Sequence, residues 1–251
     1  MILDVEQSIS EAMFISDLHL HPEHPKLTNK FFAFLNWSVS KTKSLYILGD
    51  FFHVWPGDDA IDSWSEKIAN EIAALANHGI KVYFLAGNRD FLIGQKFISK
   101  ARMTELVESS VIKLGNDKVI LVHGDRYCVR DRSHQILRRF TRNRLFKLIF
   151  LRTPYKFRSK VVNSVRRYSQ NNRSKPVADM ITVPTEIVKH LSRNQVDIVV
   201  HGHTHTPGLV KHNDKKGNFY QYVLSDWEEK PLIMCYNNTG KFYYVRFEDY
   251  V

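Results

Sequence analysis

Apolar residues along the chain alternate between short runs of strand length and stretches of helical period. Residues 12–15, 44–48 and 81–85 predict strands. Between them, residues 27–40 place Phe31, Phe32, Phe34, Leu35 and Val39 on one side of a helix. Residues 63–78 predict a second helix with Ile68, Ile72 and Leu75 on its apolar face. Ser63 is its expected N-cap, Glu66 follows three residues on, and Gly79 closes it. Residues 111–114 and 118–122 predict two strands about the turn Gly115-Asn116-Asp117. A helix at 185–194 and strands at 197–200, 222–224, 232–236 and 242–247 complete the pattern. Strand-helix-strand units at the start and an antiparallel finish predict an α/β fold, with a helical insertion at about 126–180.

Five of the strands end in the same way. Phe14-Ile15-Ser16-Asp17-Leu18-His19, Leu48-Gly49-Asp50, Leu85-Ala86-Gly87-Asn88, Leu121-Val122-His123-Gly124 and Val200-His201-Gly202-His203-Thr204-His205 each pass from an apolar run directly to Asp, Asn or His. These are the oxygen and nitrogen donors that divalent metals take. In an extended segment Asp17 and His19, two apart, point to the same side and are able to share one ion. A lone carboxylate such as Asp50 is suited to bridge two half-sites, Asn88 to bind through its amide oxygen, and His123, His203 and His205 through ring nitrogens. Two divalent cations bring more charge than Asp17 and Asp50 return, and the surplus attracts phosphate. Two metals about 3.5–4 Å apart lower the pKa of a shared water and clamp the oxygens of an in-line displacement. The pattern therefore points to hydrolysis of a phosphoester or phosphoanhydride.

Charge changes the picture in one place. The 251-residue chain is 43% hydrophobic and 25% charged with net charge +10. Residues 126–176 hold 16 Lys and Arg against the single acid Asp131, while the rest of the chain is mildly acidic. Large apolar residues interleave with these bases at helical spacing. The run Leu145-Phe146-Lys147-Leu148-Ile149-Phe150-Leu151 lies among Arg138, Arg139, Arg142, Arg144, Arg152, Lys156 and Arg158. That composition suits acyl chains and an anionic membrane surface better than a nucleic-acid backbone, which needs the charge but not the apolar face. No apolar run approaches the ~18 residues of a membrane span. The first ten residues lack the basic and apolar regions of a signal peptide, so a cytoplasmic location is expected. Cys128 and Cys235 are too few and too far apart for a disulfide framework or a zinc ribbon.

Asp17-x-His19, Gly49-Asp50, Gly87-Asn88, His123-Gly124 and Gly202-His203-Thr204-His205, in this order, resemble the five motifs of the calcineurin-like metallophosphoesterases. The resemblance implies a four-layered α/β sandwich with Asp17, His19, Asp50 and His205 on one metal and Asp50, Asn88, His123 and His203 on the other. His201 is not a ligand in that pattern and is expected to be structural. Asp90 and Asp125 are expected to orient ligands by hydrogen bonding. His53, His134 and His190 are expected to be surface or core residues, and His21 and His24 loop residues.

Asn88-Arg89-Asp90-Phe91-Leu92, Trp55-x-Gly57-Asp58-Asp59, Cys128 with Asp131, and Leu224-Ser225-Asp226-Trp227 further resemble the UDP-2,3-diacylglucosamine pyrophosphatase family of the lipid A pathway. That resemblance implies cleavage to UMP and 2,3-diacylglucosamine 1-phosphate, Mn2+ as the metal, and the insertion as a lid over the acyl chains. It implies substrate contacts from Asn88, Arg89, Asp131, Ser169, Asn172, Lys175 and His203. Arg173 competes with Asn172, because the spacing from Ser169 to Lys175 is one residue shorter here. Catalysis would rest on Arg89, Asp50 and Asn88, with Arg89 neutralising charge on the phosphoryl oxygens. The expected setting is the cytoplasmic face of the inner membrane, and no obligate protein partner is inferred. A nuclease or dinucleoside polyphosphate hydrolase of the same superfamily, and a metal-free scaffold, are the competing readings.

Overall fold

The computed structural model describes residues 9–171, 181–215, 217–228 and 230–247, the side chains of 168–171 excepted. Strands β1 (Ala12–Ile15), β2 (Ser44–Ile47), β3 (Lys81–Leu85) and β4 (Thr104–Leu106) run parallel. With β10 (Leu232–Tyr236) and β11 (Phe242–Arg246) they form one sheet in the order β11-β10-β1-β2-β3-β4. The second sheet, β5-β6-β7-β9-β8, is built from β5 (Ser110–Leu114), β6 (Asp117–Leu121), β7 (Ile198–His201), β8 (Gly208–Asp214) and β9 (Gly217–Val223).

Alternation along the strands sets the layers. Ala12, Phe14, Tyr46, Leu48 and Leu85 turn inward against Leu114, Val119, Leu121 and Val200 of the other sheet, in one apolar cluster between the two. Met13, Ile15, Leu45, Ile47 and Val82 turn outward to helices α1 (Pro25–Ser38) and α2 (Ser63–Asn77), meeting Phe31, Phe34, Ile68 and Ile72. On the far side Ile120, Val122 and Val199 meet Ile187 and Leu191 of helix α7 (Pro184–Asn194). Helix, sheet, sheet and helix are the four layers expected.

Local starts and stops differ by a residue or two. Helix α2 is capped by Asp62, not Ser63: Asp62 Oδ1 accepts from the Ser65 amide at 2.8 Å, and Ser65 Oγ accepts from the Asp62 amide at 2.9 Å. A carboxylate suits a helix N-terminus better than a hydroxyl, because it also meets the positive end of the helix dipole. Helix α3 (Gln95–Lys100), β4 and β8 were not expected. Strand β9 begins five residues before the predicted 222–224 segment.

After β6 the chain forms α4 (Arg132–Thr141), α5 (Arg144–Leu151) and α6 (Tyr155–Asn171). Phe150, Leu151 and Val162 pack against the same apolar cluster as α1 and α2. Three of the arginines expected to face lipid turn inward. Arg158 is buried and donates to the carbonyls of Pro56, at 3.0 Å, Leu151, at 2.9 Å, and Thr153, and to the carboxylate of Asp59. Arg138 and Arg142 pair with Glu108 and the buried Asp125, and Arg142 also donates to the Ala86 carbonyl at 3.0 Å. Desolvating a guanidinium is tolerated only where acceptors or opposite charge replace water; Arg158 has four acceptors, and Arg138 and Arg142 rely on the carboxylates of Glu108 and Asp125.

Candidate metal centre

Parallel strands end on the same side of a sheet, so the loops after β1, β2 and β3 emerge together, as do those after β6 and β7. Adjacent loops then hydrogen-bond side by side. The amides of Asp17 and His19 donate to the carbonyls of Gly49 and Asp50 at 3.0 and 2.9 Å, and Gly202 N donates to His123 O at 2.9 Å. Glycines make this approach possible. A Cβ on Gly87 would stand 2.2 Å from Asp50 Oδ1, and one on Gly202 2.2 Å from Asp17 Oδ2.

The side chains collect into two adjoining groups, Asp17, His19 and His205 in one and Asp50, His123 and His203 in the other, with donor atoms in each within 4.8 Å. Asp50 lies between them: its Oδ2 is 3.3 Å from His19 Nε2 and its Oδ1 3.5 Å from His123 Nε2. Asn88 Oδ1 joins the second group, 2.9 Å from His123 Nε2. Five of these residues, Asp17, His19, Asp50, His203 and His205, adopt positive φ between 51° and 69°. Non-glycine residues avoid that region, and its concentration here marks backbone held against local preference.

Asp17 and Asp50 are buried. Burial alone would raise both carboxyls, yet contacts with His205 and His123 hold Asp17 down to about 2, and His123, His19 and Arg89 hold Asp50 well below its usual range. Burial pulls His123 down too, but Asp50, Asp17 and Asp125 outweigh it and lift the ring to about 9. Burial and the His123 charge push His203 down to about 3, and burial pushes His19 down, so both rings keep a lone pair for a cation. Asp17 Oδ1 is buried without a hydrogen-bond partner. Paired buried carboxylates, an orphaned carboxylate oxygen and imidazoles clustered around them are a donor set that fits divalent ions.

Supporting groups surround this set. Asp90 accepts from the amides of Phe51 and Gly87, both at 2.7 Å, tying two of the loops together as expected of it. Asp125 instead anchors α4, through Arg138 Nε at 3.2 Å. Arg89 lies with its Nε 3.0 Å from Asp50 Oδ2. Asp131 caps α4, accepting from the His134 amide at 3.0 Å and from Ser133 Oγ at 2.8 Å. Ser169 is on α6, its side chain outside the described residues, as are Asn172, Arg173 and Lys175.

Three contributions were not foreseen. Asp226 Oδ2 lies 3.3 Å from His205 Nδ1, the carboxylate–histidine pairing that orients a metal-binding ring. Its sequence signals are its place just after a strand and the Leu224-Ser225-Asp226-Trp227 resemblance, which assigned it no role. Arg166 of α6 donates through Nε to His53 Nε2 at 2.6 Å. Burial and the charge of Arg89 lower its guanidinium to about 10, against the pull of Asp50. The His134 ring lies against that of His203 at a tilt of 31°, ring centroids 5.5 Å apart.

Residues 12–207 match the family model described as calcineurin-like phosphoesterase. A protein of Stutzerimonas stutzeri named UDP-2,3-diacylglucosamine hydrolase is 38% identical over 91% of this chain and 95% of its own length. Proteins of the same name from Pseudomonas paraeruginosa, 38% identical over 91% of this chain and 96% of theirs, and Aromatoleum aromaticum, 35% identical over 94% and 97%, agree with it. With its strand-end donors in two groups and a family match covering most of its length, the chain belongs to the calcineurin-like phosphoesterases.

Proposed function

We propose that this protein hydrolyses the pyrophosphate of UDP-2,3-diacylglucosamine, giving UMP and 2,3-diacylglucosamine 1-phosphate in lipid A synthesis. The observation that carries this reading is the pair of donor groups beside Arg89, in a chain that matches relatives of that name over more than nine-tenths of its length. Asp17, His19, Asp50 and His205 would hold one divalent ion and Asp50, Asn88, His123 and His203 the other, with Mn2+ as the metal. Bound there, divalent ions would supply an activated water and positive charge for the phosphoryl oxygens.

The chain's own groups do the rest. Arg89, 3.0 Å from Asp50, supplies fixed positive charge where the phosphoryl oxygens gain negative charge. Asp226 holds the His205 ring through Nδ1, leaving Nε2 toward Asp17. A water oxygen bonds to one phosphorus of the pyrophosphate as that phosphorus loses its bond to the bridging oxygen, the water gives up a proton to solvent, and the other phosphate leaves as an anion. A phosphate leaving group is stable near neutral pH, so no strong general acid is needed. Asp131, Ser169, Asn172, Lys175 and His203 would contact the substrate.

The insertion of residues 126–180 supports the lipid part of the reading. On α4 and α5, Ile136, Phe140, Leu145, Leu148 and Ile149 are exposed, as are Arg139, Arg144 and Arg152 beside them. An apolar surface rimmed by bases suits acyl chains at the anionic cytoplasmic face of the inner membrane. No described helix is long and apolar enough to cross a bilayer.

The test is incubation of the purified protein and Mn2+ with UDP-2,3-diacylglucosamine, following UMP. Asp50→Ala should lose both ions by elemental analysis and with them the release of UMP. Absence of UMP together with cleavage of single-stranded DNA would replace the proposal by the nuclease.

A further inference from the structure

Behind the metal-ligand loop, β7 carries a histidine that is fully buried and binds nothing catalytic. His201 is 0% exposed, its Nδ1 lies 2.8 Å from the carbonyl oxygen of Gly202, and its Nε2 lies 2.8 Å from Nε2 of Gln221 on the neighbouring strand β9. A carbonyl only accepts, so the ring proton is on Nδ1. Nε2 of the neutral ring is then a bare acceptor, and Gln221 must offer it an N–H. That leaves Gln221 Oε1 facing His212 Nε2, 2.8 Å away on β8, which donates, while the second amide hydrogen points to Thr182 Oγ1 at 3.2 Å. Every donor and acceptor of the buried Gln221 side chain is used, and the bare Nε2 of His201 sets which way its amide faces, with His212 and Thr182 completing its bonds.

The other end of the chain of bonds reaches the metal ligands. The Gly202 carbonyl accepts from His201 and from the Thr204 amide at 2.9 Å, and the Gly202 amide donates to the His123 carbonyl at 2.9 Å. The next amide, that of His203, donates to Asp17 Oδ2 at 2.8 Å. His203 itself is at φ 69°, a conformation that persists only where its surroundings impose it. The ring–carbonyl bond is also tightly enclosed: a Cβ on Gly124 would stand 2.7 Å from His201 Nδ1 and 2.8 Å from the Gly202 oxygen.

We infer that Gln221 is a positioning residue for the metal centre: by fixing His201 as its Nδ1–H tautomer it fixes the Gly202–His203 peptide and so the placement of His203. The inference rests on the metal-centre reading above. It assigns a role to a strand residue far from the ligand motifs, and it makes β8 and β9 part of the site's support.

Two variants test it. Gln221→Met keeps the length and removes the donor. Gln221→Glu keeps the shape and offers only acceptor oxygen, which favours a proton on His201 Nε2. In histidine-labelled protein stripped of metal with a chelator, two-bond 1H–15N spectra should show wild-type His201 protonated at Nδ1 and bare at Nε2. Both variants should lose that signature. In calorimetric titrations with Mn2+, one of the two sites should weaken by about 10–100-fold, the size expected for an outer partner of a ligand. The kcat at saturating Mn2+ should stay within about threefold, since the variants change how the site is held and not what touches substrate. If Gln221→Met fails to fold, Gln221→Glu decides alone. A wild-type His201 protonated at Nε2, or foldable variants that bind both ions as wild type does, would overturn the role of Gln221. A wild-type protein that bound no Mn2+ would instead sink the metal centre, and this inference with it.

Discussion

Two glycine-to-alanine changes separate backbone strain from damage to the site. Gly79, at φ 77° after α2, has nothing within 4 Å of where a Cβ would be. Alanine there carries only the left-handed penalty, roughly 1–2 kcal/mol, reduced by the ~0.4–1 kcal/mol gained from a stiffer unfolded chain. At about 2–4 °C per kcal/mol for a domain of this size, the melting temperature should fall by a few degrees and turnover should not change. Gly87 is the opposite case. Its φ lies outside the left-handed region, but a Cβ would stand 2.2 Å from Asp50 Oδ1 and 2.3 Å from Asp50 N. That is about 1 Å or more inside ordinary contact. The Gly87 loop cannot retreat, because its amide is held by Asp90 Oδ1 at 2.7 Å and the Ala86 carbonyl by Arg142 at 3.0 Å. Asp50 must move instead, taking with it a carboxylate placed between both donor groups. Overpacking of this kind costs about 1–3 kcal/mol, more than the net cost at Gly79, and a displacement near 1 Å at reacting groups costs on the order of 10²-fold in rate. The assay is thermal melting by circular dichroism, bound metal by elemental analysis, and kcat/KM for UDP-2,3-diacylglucosamine. A melting temperature lowered a few degrees further in Gly87→Ala, with activity lost only there, is the expected result. Near-normal turnover in Gly87→Ala, or equal loss in both variants, would refute the placement of Asp50.

Arg89→Ala should leave the metal content intact and lower kcat/KM by on the order of 10²-fold, the size of a lost charged contact in the transition state; near-normal turnover would make Arg89 a bystander. Asp substituted together at Leu145, Leu148 and Ile149, which are 65%, 59% and 58% exposed, should weaken binding to anionic vesicles and raise KM for the diacylated substrate while sparing a small soluble phosphodiester. Equal loss on both substrates would make α5 a support of the fold. Burial raises the thiol pKa of both Cys128 and Cys235 to about 12, because it disfavours the thiolate. At pH 8 on the order of one thiol in 10⁴ is then ionised, so a disulfide reagent should label neither in the native protein and both after denaturation.

The candidate ligands were legible because each depends on a local feature, a strand that ends in a donor. Asp17, Asp50, Asn88, His123 and His203 meet because the strands carrying them run parallel, and the apolar runs already announced those strands. What pairs across the fold was not legible. Asp226 reaches His205 from beyond β9, and Arg166 reaches His53 from α6, across 113 positions. Strand β8 escaped notice because it is an edge with one buried position, His212, in a run that is otherwise polar or exposed. The basic segment was misjudged in part for the same reason. Composition counts its arginines alike, but Arg158 is 2% exposed and Arg138 and Arg142 pair with acids far along the chain. Only partners separate a structural arginine from one that faces a membrane.

The placement of the strained residues carries the argument one step further. Asp17, His19, Asp50, His203 and His205 all occupy the left-handed region, at about 1–2 kcal/mol each for a residue with a Cβ. A cost of that total size cannot be met by donor atoms that would reach an ion equally well from relaxed loops. It is offset locally: the amides of Asp17 and His19 bond the next loop, His203 N bonds Asp17, and the Arg89 amide bonds Asp50 Oδ1 at 2.9 Å. Each of these bonds joins two ligand loops to one another, not a loop to solvent. The geometry of the candidate ligands is therefore a property of the paired loops and the two sheets beneath them, and a substitution that frees one loop is felt by the donors on the next.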